Sequence, residues 1–265
     1  MKQPWFWFDP TAMLAGAAIT HPMIPAQLWT ACAGLKFQPR FQSPAPKEKH
    51  MAPTDIDLNP SLSSDRAGLV LFDTLHGYLH PADEQKAANL EKWGILENMA
   101  RLVQGAHDAG VTVFYGAADH AGDGADIASR LTDTDMDLNP WDDRERRFMP
   151  MHRRGHKGAE IAIEVKPVEG DVMVPKHRWS AFHQTHLDLQ LRVRKLNIVI
   201  LAGGSTDVGI ASTAFSARDL DYGLVIARDC CYSHRGDNND FLMDRIFPRM
   251  ARVMSTDQII ELMKN

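Results

Sequence analysis

LAGGSTDVGIASTAF, Leu201–Phe215, passes from an apolar run through paired glycines and small polar residues into a stretch with helical spacing. A buried strand that turns through glycines into a helix is the joint of an α/β sheet, and such sheets bind ligands outside the carboxyl ends of their strands. The turn presents Gly209, which has no side chain to react. Any chemistry at this joint must come from the neighbouring strand ends.

The same pattern repeats outward from that joint. From Ala67 the short apolar runs AGLVLFD, VTVFY, DVMVP, NIVILAG and LVIARD alternate with helical stretches, and RVMST reads as a last edge strand. The helices are expected over Lys86–Ala109, His183–Lys195, Gly209–Leu220 and Asn239–Met250, with apolar spacings such as Leu187 and Leu191. Continuous apolar strands separated by helices predict an α/β fold with a parallel sheet covered on both faces. The residues that follow the runs are then the candidates for function: Asp73, Asp119 with His120, Lys176, Ser205–Gly209 and Asp229.

Composition bounds the partners. With 265 residues, 44% hydrophobic, the chain is long for one α/β domain and short for two. The division falls near residue 65, because residues 1–65 hold nine of the fifteen prolines and no sustained period, leaving 66–265 as the domain. Trp5, Phe6, Trp7, Phe8 and Trp29 suggest that the extension is an arm packed on the domain or on a second copy, so a homo-oligomer is an expectation. A net charge of -5 and a pI near 6.2 give no reason to expect nucleic acid or an anionic membrane, and point to a small-molecule substrate. Three cysteines, Cys32, Cys230 and Cys231, make no disulfide framework and favour a reducing compartment. WFWFDPTAMLAGAAIT is broken by Asp9 and Pro10 and falls short of the roughly 18 apolar residues of a spanning helix, so the expected location is cytoplasmic.

Three segments in order carry a family resemblance. LVLFDTLHGY, VPKHRWSAFH and GGSTDVGIASTAFSARDLDYGLVIARDCCYS resemble the first strand, the lysine segment and the nucleophile turn of the isochorismatase-like hydrolases, over roughly three quarters of the chain. The resemblance implies a three-layer fold with a six-stranded, mostly parallel sheet. In amidase members it implies an Asp-Lys-Cys triad, carried here by Asp73, Lys176 and, at the cysteine position, Gly209. It also implies a cis peptide bond near Gly204 and Ser205. The isochorismatase branch resembles this chain in having glycine at that position and cleaves a vinyl ether.

That exchange separates two chemistries. An amide cleaved covalently needs the thiolate, whereas a vinyl ether needs only a proton delivered to its methylene carbon, a step open to a protonated Asp73. Burial would keep Asp73 protonated and a neighbouring Lys176 ammonium would oppose that, so the main expectation is acid-catalysed hydrolysis of a small carboxylated enol ether. The alternatives are hydrolysis of an amide, ester or other carbonyl compound by Asp73-activated water, and a protein that binds a ligand or assembles without catalysis. Lys176 and Arg178 are candidates to hold a substrate carboxylate, and the backbone around Gly204, Ser205, Thr206 and Val208 offers amides to an anion or carbonyl. Ser205 stands where isochorismatases carry an aromatic hydroxyl, which implies a different substrate. The long interval from His120 to Gly170 is read as part of a lid or pocket wall.

Other polar groups have plainer readings. His76 with His80, and Asp119 with His120, lack the spacing of a metal motif, so neither a metal nor a cofactor is the main expectation, while the resemblance to nicotinamidase-type members keeps Asp119 with His120 in view as a metal site. DTDMDLNPWDD lacks an EF-hand spacing and MHRRGHK is a basic surface turn. Cys230 and Cys231 are expected to be buried and inert.

Overall fold

All six residues of AGLVLF are buried, and they divide between two cores. In the computed structural model, which describes residues 60–126 and 152–264, these residues form β1 (Ala67–Phe72) at the centre of a six-stranded sheet. Leu69 and Leu71 join Met99, Leu102, Ile259 and Met263 on one face, while Val70 and Phe72 join Leu187, Leu191, Ile210 and Ala214 on the other. The two-residue period of a strand sends alternate side chains to opposite faces, so a strand covered on both sides reads as an unbroken apolar run.

The remaining strands are β2 (Val113–Ala118), β3 (Val172–Lys176), β4 (Ile198–Gly204), β5 (Gly223–Tyr232) and β6 (Arg252–Met254), in spatial order β3-β2-β1-β4-β5-β6. Every neighbouring pair is parallel. The chain moves from β1 outward to β3 and then returns to the other side of β1, so the order reverses between β1 and β4. That reversal opens a crevice at the carboxyl ends of these two strands, where α/β folds bind ligands.

The helices differ in detail from the sequence expectation. The stretch Lys86–Ala109 is two helices, α2 (Glu84–Lys92) and α3 (Ile95–Asp108), because Gly94 turns through φ +66° between them. A four-residue α1 (His76–Leu79) precedes them. Of His183–Lys195 only α4 (Leu187–Val193) is helical. A π-turn at Thr206–Ile210 leads into α5 (Ala211–Asp219). Asn239–Met250 is α6 (Asn238–Phe241), a second π-turn and a 3₁₀ turn, the last with Pro248 in its opening turn. The closing helix α7 (Thr256–Met263) was not expected, although Ser255 and Gln258 form a reciprocal capping box at its start.

Asp229, Cys230 and Cys231 also move. They lie inside β5 rather than beyond it, where the register against β4 shifts between Leu201 and Gly203. The Asp229 carboxylate accepts from the Thr256 amide and hydroxyl, both at 2.9 Å, and so caps α7 instead of facing the crevice. Residues 1–59 of the expected arm (1–65) and the acidic run at 133–143 lie outside the described residues. Among the described residues no helix is long and apolar enough to cross a membrane.

Candidate functional site

Asp73 follows β1 directly and takes a left-handed φ of +47°, a conformation that costs a non-glycine residue of order 1–3 kcal/mol. Its two carboxylate oxygens have separate partners. Oδ1 accepts from the Ala118 amide at the end of β2 (2.8 Å), and Oδ2 accepts from the Lys176 ammonium at the end of β3 (2.8 Å). The pair is almost withdrawn from solvent, with side chains 10% and 5% exposed. Three strand ends thus meet at one ion pair.

The glycine turn meets the same crevice from β4. Gly203 adopts φ +129°, and a Cβ there would lie 2.1 Å from the Phe72 carbonyl oxygen, so only glycine fits the approach of β4 to β1. The Gly204–Ser205 bond is cis. At Gly209 a Cβ would lie 1.9 Å from Cε1 and 2.2 Å from Cζ of Phe72. The Phe72 ring therefore fills the space beside Gly209. The same ring lies 4.1 Å, centroid to Nζ, beneath the Lys176 ammonium, a cation–π contact.

The other candidates are less exposed to a ligand than the sequence suggested. Gly204 is buried, with the Tyr232 ring where its Cβ would stand, and the Thr206 hydroxyl is committed to Asn239 Oδ1 (2.7 Å). Ser205 and Val208 are half-buried, and the Ser205 hydroxyl donates to Asp207. Arg178 is exposed and turned onto the His177 carbonyl (2.7 Å), so it does not join the Asp73–Lys176 pair. Asp119 is held by Arg154 through two contacts (2.7 and 3.1 Å). Among the described residues no group of three or more His, Cys, Asp or Glu is placed to hold a metal ion.

Cys230 and Cys231 are both buried. Burial pushes the Cys230 thiol up to about 12 and Cys231 well above its ordinary range, so neither presents a thiolate near neutral pH.

Tyr78 and His152, which the sequence did not single out, join His120 at this site. The Tyr78 hydroxyl of α1 lies 2.9 Å from Nδ1 of His152. The His152 ring lies 5.4 Å from that of His120, which lies 5.7 Å from that of His177, the neighbour of Lys176. Burial and the Asp73 charge push Tyr78 and Tyr232 up, while burial holds His152 down to about 4. His120 is lowered chiefly by burial. Near neutral pH Tyr78, His152 and His120 form an uncharged arc beside the ion pair. Tyr78 follows the Asp73 run closely enough to have been a candidate, whereas nothing local marks His152 or Phe72.

The comparisons agree with this fold. The profile of the Isochorismatase domain matches residues 67–258. The uncharacterized isochorismatase family protein YecD of Escherichia coli O157:H7 is 39% identical over 92 residues, 35% of this chain and 49% of that protein, so the match spans about half the length of that relative. The ureidoacrylate amidohydrolase RutB of Variovorax paradoxus (strain S110) is 26% identical over 203 residues, 73% of this chain and 78% of that protein. An isochorismatase family protein from Burkholderia thailandensis superposes with a TM-score of 0.60 at 24% identity, covering 76% of this chain and 97% of that one.

Proposed function

The chain belongs to the isochorismatase family, and within it we propose a hydrolase of a small amide, ureide or ester in which Asp73 activates water as a general base. The observation that carries this reading is the carboxylate of Asp73 held between the Lys176 ammonium and the Ala118 amide (both 2.8 Å), at a crevice where Phe72 stands in the nucleophile's place. A base must accept a proton, and each carboxylate oxygen, taking one of these two donors, has a second lone pair to offer. Lys176 keeps that carboxylate oriented and offsets its charge once substrate covers the site. The name of the ureidoacrylate amidohydrolase relative supports cleavage of a C–N bond.

Acid-catalysed cleavage of an enol ether keeps one observation in its favour, the glycine at position 209 that it shares with isochorismatases. It needs a proton on Asp73, and both carboxylate oxygens already accept from a donor, at 2.8 Å each. We therefore rank it second. A panel of N-carbamoyl acids, simple amides, p-nitrophenyl esters and an enol ether separates the readings. Asp73→Asn should lower turnover of the carbonyl substrates by about 10²–10⁴. Undiminished turnover in that variant would remove Asp73 as the base, cleavage of the enol ether alone would restore the acid reading, and a bound but unchanged ligand would favour a non-catalytic binding protein.

A further inference from the structure

Attack of water on a carbonyl puts negative charge on the carbonyl oxygen, and three amides of the glycine turn are already taken. The amides of Val208, Gly209 and Ile210 all lie on the Ser205 carbonyl oxygen, at 3.3, 3.0 and 3.2 Å. They are committed to the helix. On the other side of Asp73, two side chains from distant parts of the chain are joined instead: Tyr78 from α1 and His152 from the segment that returns to β3, hydroxyl to Nδ1 at 2.9 Å, with their ring centroids 5.3 Å apart.

We propose that His152 is a catalytic hydrogen-bond donor: the Tyr78 hydroxyl donates to Nδ1 of His152, which fixes the ring proton on Nε2 and directs a neutral N–H at the substrate's carbonyl oxygen. The inference rests on the base-catalysed reading of Asp73. A phenol is the stronger donor and an imidazole nitrogen the stronger acceptor, so the contact settles the tautomer of a neutral ring. The ring is neutral at pH 7, since burial, helped by His120 and Lys176, outweighs the opposing charge of Asp73 and holds it down to about 4. Tyr78 keeps its proton because burial and the charges of Asp73 and Tyr232 push it up. His177, next along the arc, faces His120 and pairs with Asp126 at 3.1 Å, and His120 itself lies 3.5 Å from Asp126, so the acidic partner stands on the far side of the arc from His152.

The step balances as follows. The water oxygen bonds the carbonyl carbon while its proton passes to Asp73, and the π pair moves onto the oxygen held by His152 Nε2–H. Collapse of the tetrahedral adduct breaks the bond to the leaving nitrogen or oxygen, which takes the proton back from Asp73. A neutral imidazole suits this duty, because it donates a hydrogen bond without giving the proton away.

The dyad is tested first without any substrate, by ¹⁵N-histidine spectra of the full chain at pH 7. His152 should show Nδ1 unprotonated and Nε2 protonated, and Tyr78→Phe should mix the two tautomers. A protonated Nδ1 in the wild type, or a His152 spectrum unchanged by Tyr78→Phe, would overturn it. The donor role is tested on p-nitrophenyl acetate and an N-carbamoyl amino acid as probes. His152→Ala should lower kcat by about 10²–10³ with a smaller change in KM, and His152→Gln, which retains a side-chain N–H, should recover part of the loss. Full kcat in His152→Ala sinks the donor role. Failure of the base reading looks different, since there Asp73→Asn keeps its turnover while the tautomer result stands.

Discussion

The two sides of the crevice are built to opposite rules. Around the ends of β1, β2 and β3 a charged pair sits under an arc of half-buried Tyr and His rings. Around the ends of β4 and β5 the space is packed solid: Phe72 fills the place above Gly209, the Tyr232 ring lies against Gly204, and two thiols are buried in β5. In the family's amidases the resemblance assigns the nucleophile to this second side. Here the packed side presents no thiolate and the polar side carries an acid beside a lysine, so the proposed reaction is assigned to the half that could act through water.

The largest test of that contrast is the ion pair. Removing one member of a buried pair leaves the other charged and without a partner, at a cost of about 3–5 kcal/mol. Lys176→Met should therefore destabilise the chain by about that amount in urea unfolding, and Asp73→Asn similarly, so activity of either variant has to be compared at a temperature where both are folded. The double variant Asp73→Asn with Lys176→Met should lose less than the two single losses added together, because no lone charge remains. Strict additivity would mean that the pair does not interact, and the polar side would lose its centre.

The packed side is tested by putting the thiol back. Gly209→Cys forces a Cβ into the Phe72 ring, and overpacking of this kind costs about 1–3 kcal/mol. Its thiol should resist alkylation. Adding Phe72→Val opens the space, and the double variant should then react with iodoacetamide faster than the wild-type background of buried thiols. A reactive, stable Gly209→Cys single variant would show that the ring does not block the position, and the two sides would be less different than they look.

These contacts mark the limit of what could be read from the chain alone. Asp73, Lys176 and Gly209 were legible because each follows an apolar run, and strand ends of a parallel sheet converge. Phe72 was not, since an unbroken apolar run does not say which face a residue takes or what it meets across the sheet. His152 depends on a contact with Tyr78 that only the folded chain creates. Helix α7 was missed for a different reason: Ser255 was read as the tail of a strand, so its reciprocal pairing with Gln258 passed unnoticed. The break at Gly94 was hidden by good helical spacing on both sides.

Acid should act on the polar side first. His120 and His152 are both lowered by burial, His152 to about 4. A histidine whose folded value lies below its unfolded value favours the neutral form, so its contribution is fully present above the unfolded value of about 6.5 and is lost as pH falls toward the folded one. The urea midpoint should decline between about pH 6.5 and 4, before most carboxylates titrate. His152→Gln should flatten part of that decline. A midpoint that is level across this window would mean the imidazoles are solvated, and the uncharged arc would not exist.

The smallest effect belongs to the cysteines of the packed side. Cys230 Sγ lies 3.2 Å from the Thr256 hydroxyl, and Cys231 Sγ lies 3.9 Å from the Leu201 carbonyl oxygen, contacts that tie both thiols into the sheet rather than the crevice. Both are held protonated by burial. Replacing Cys32, Cys230 and Cys231 together with alanine should cost stability, about 1 kcal/mol per buried site, and leave turnover intact once folding is verified. Treatment of the native protein with an alkylating reagent should likewise spare activity. A covalent substrate adduct on Cys230 or Cys231 in the mass spectrum would reverse the assignment of the two sides, since the reaction would then run through a thiol and the Asp73–Lys176 pair would serve it from across the crevice.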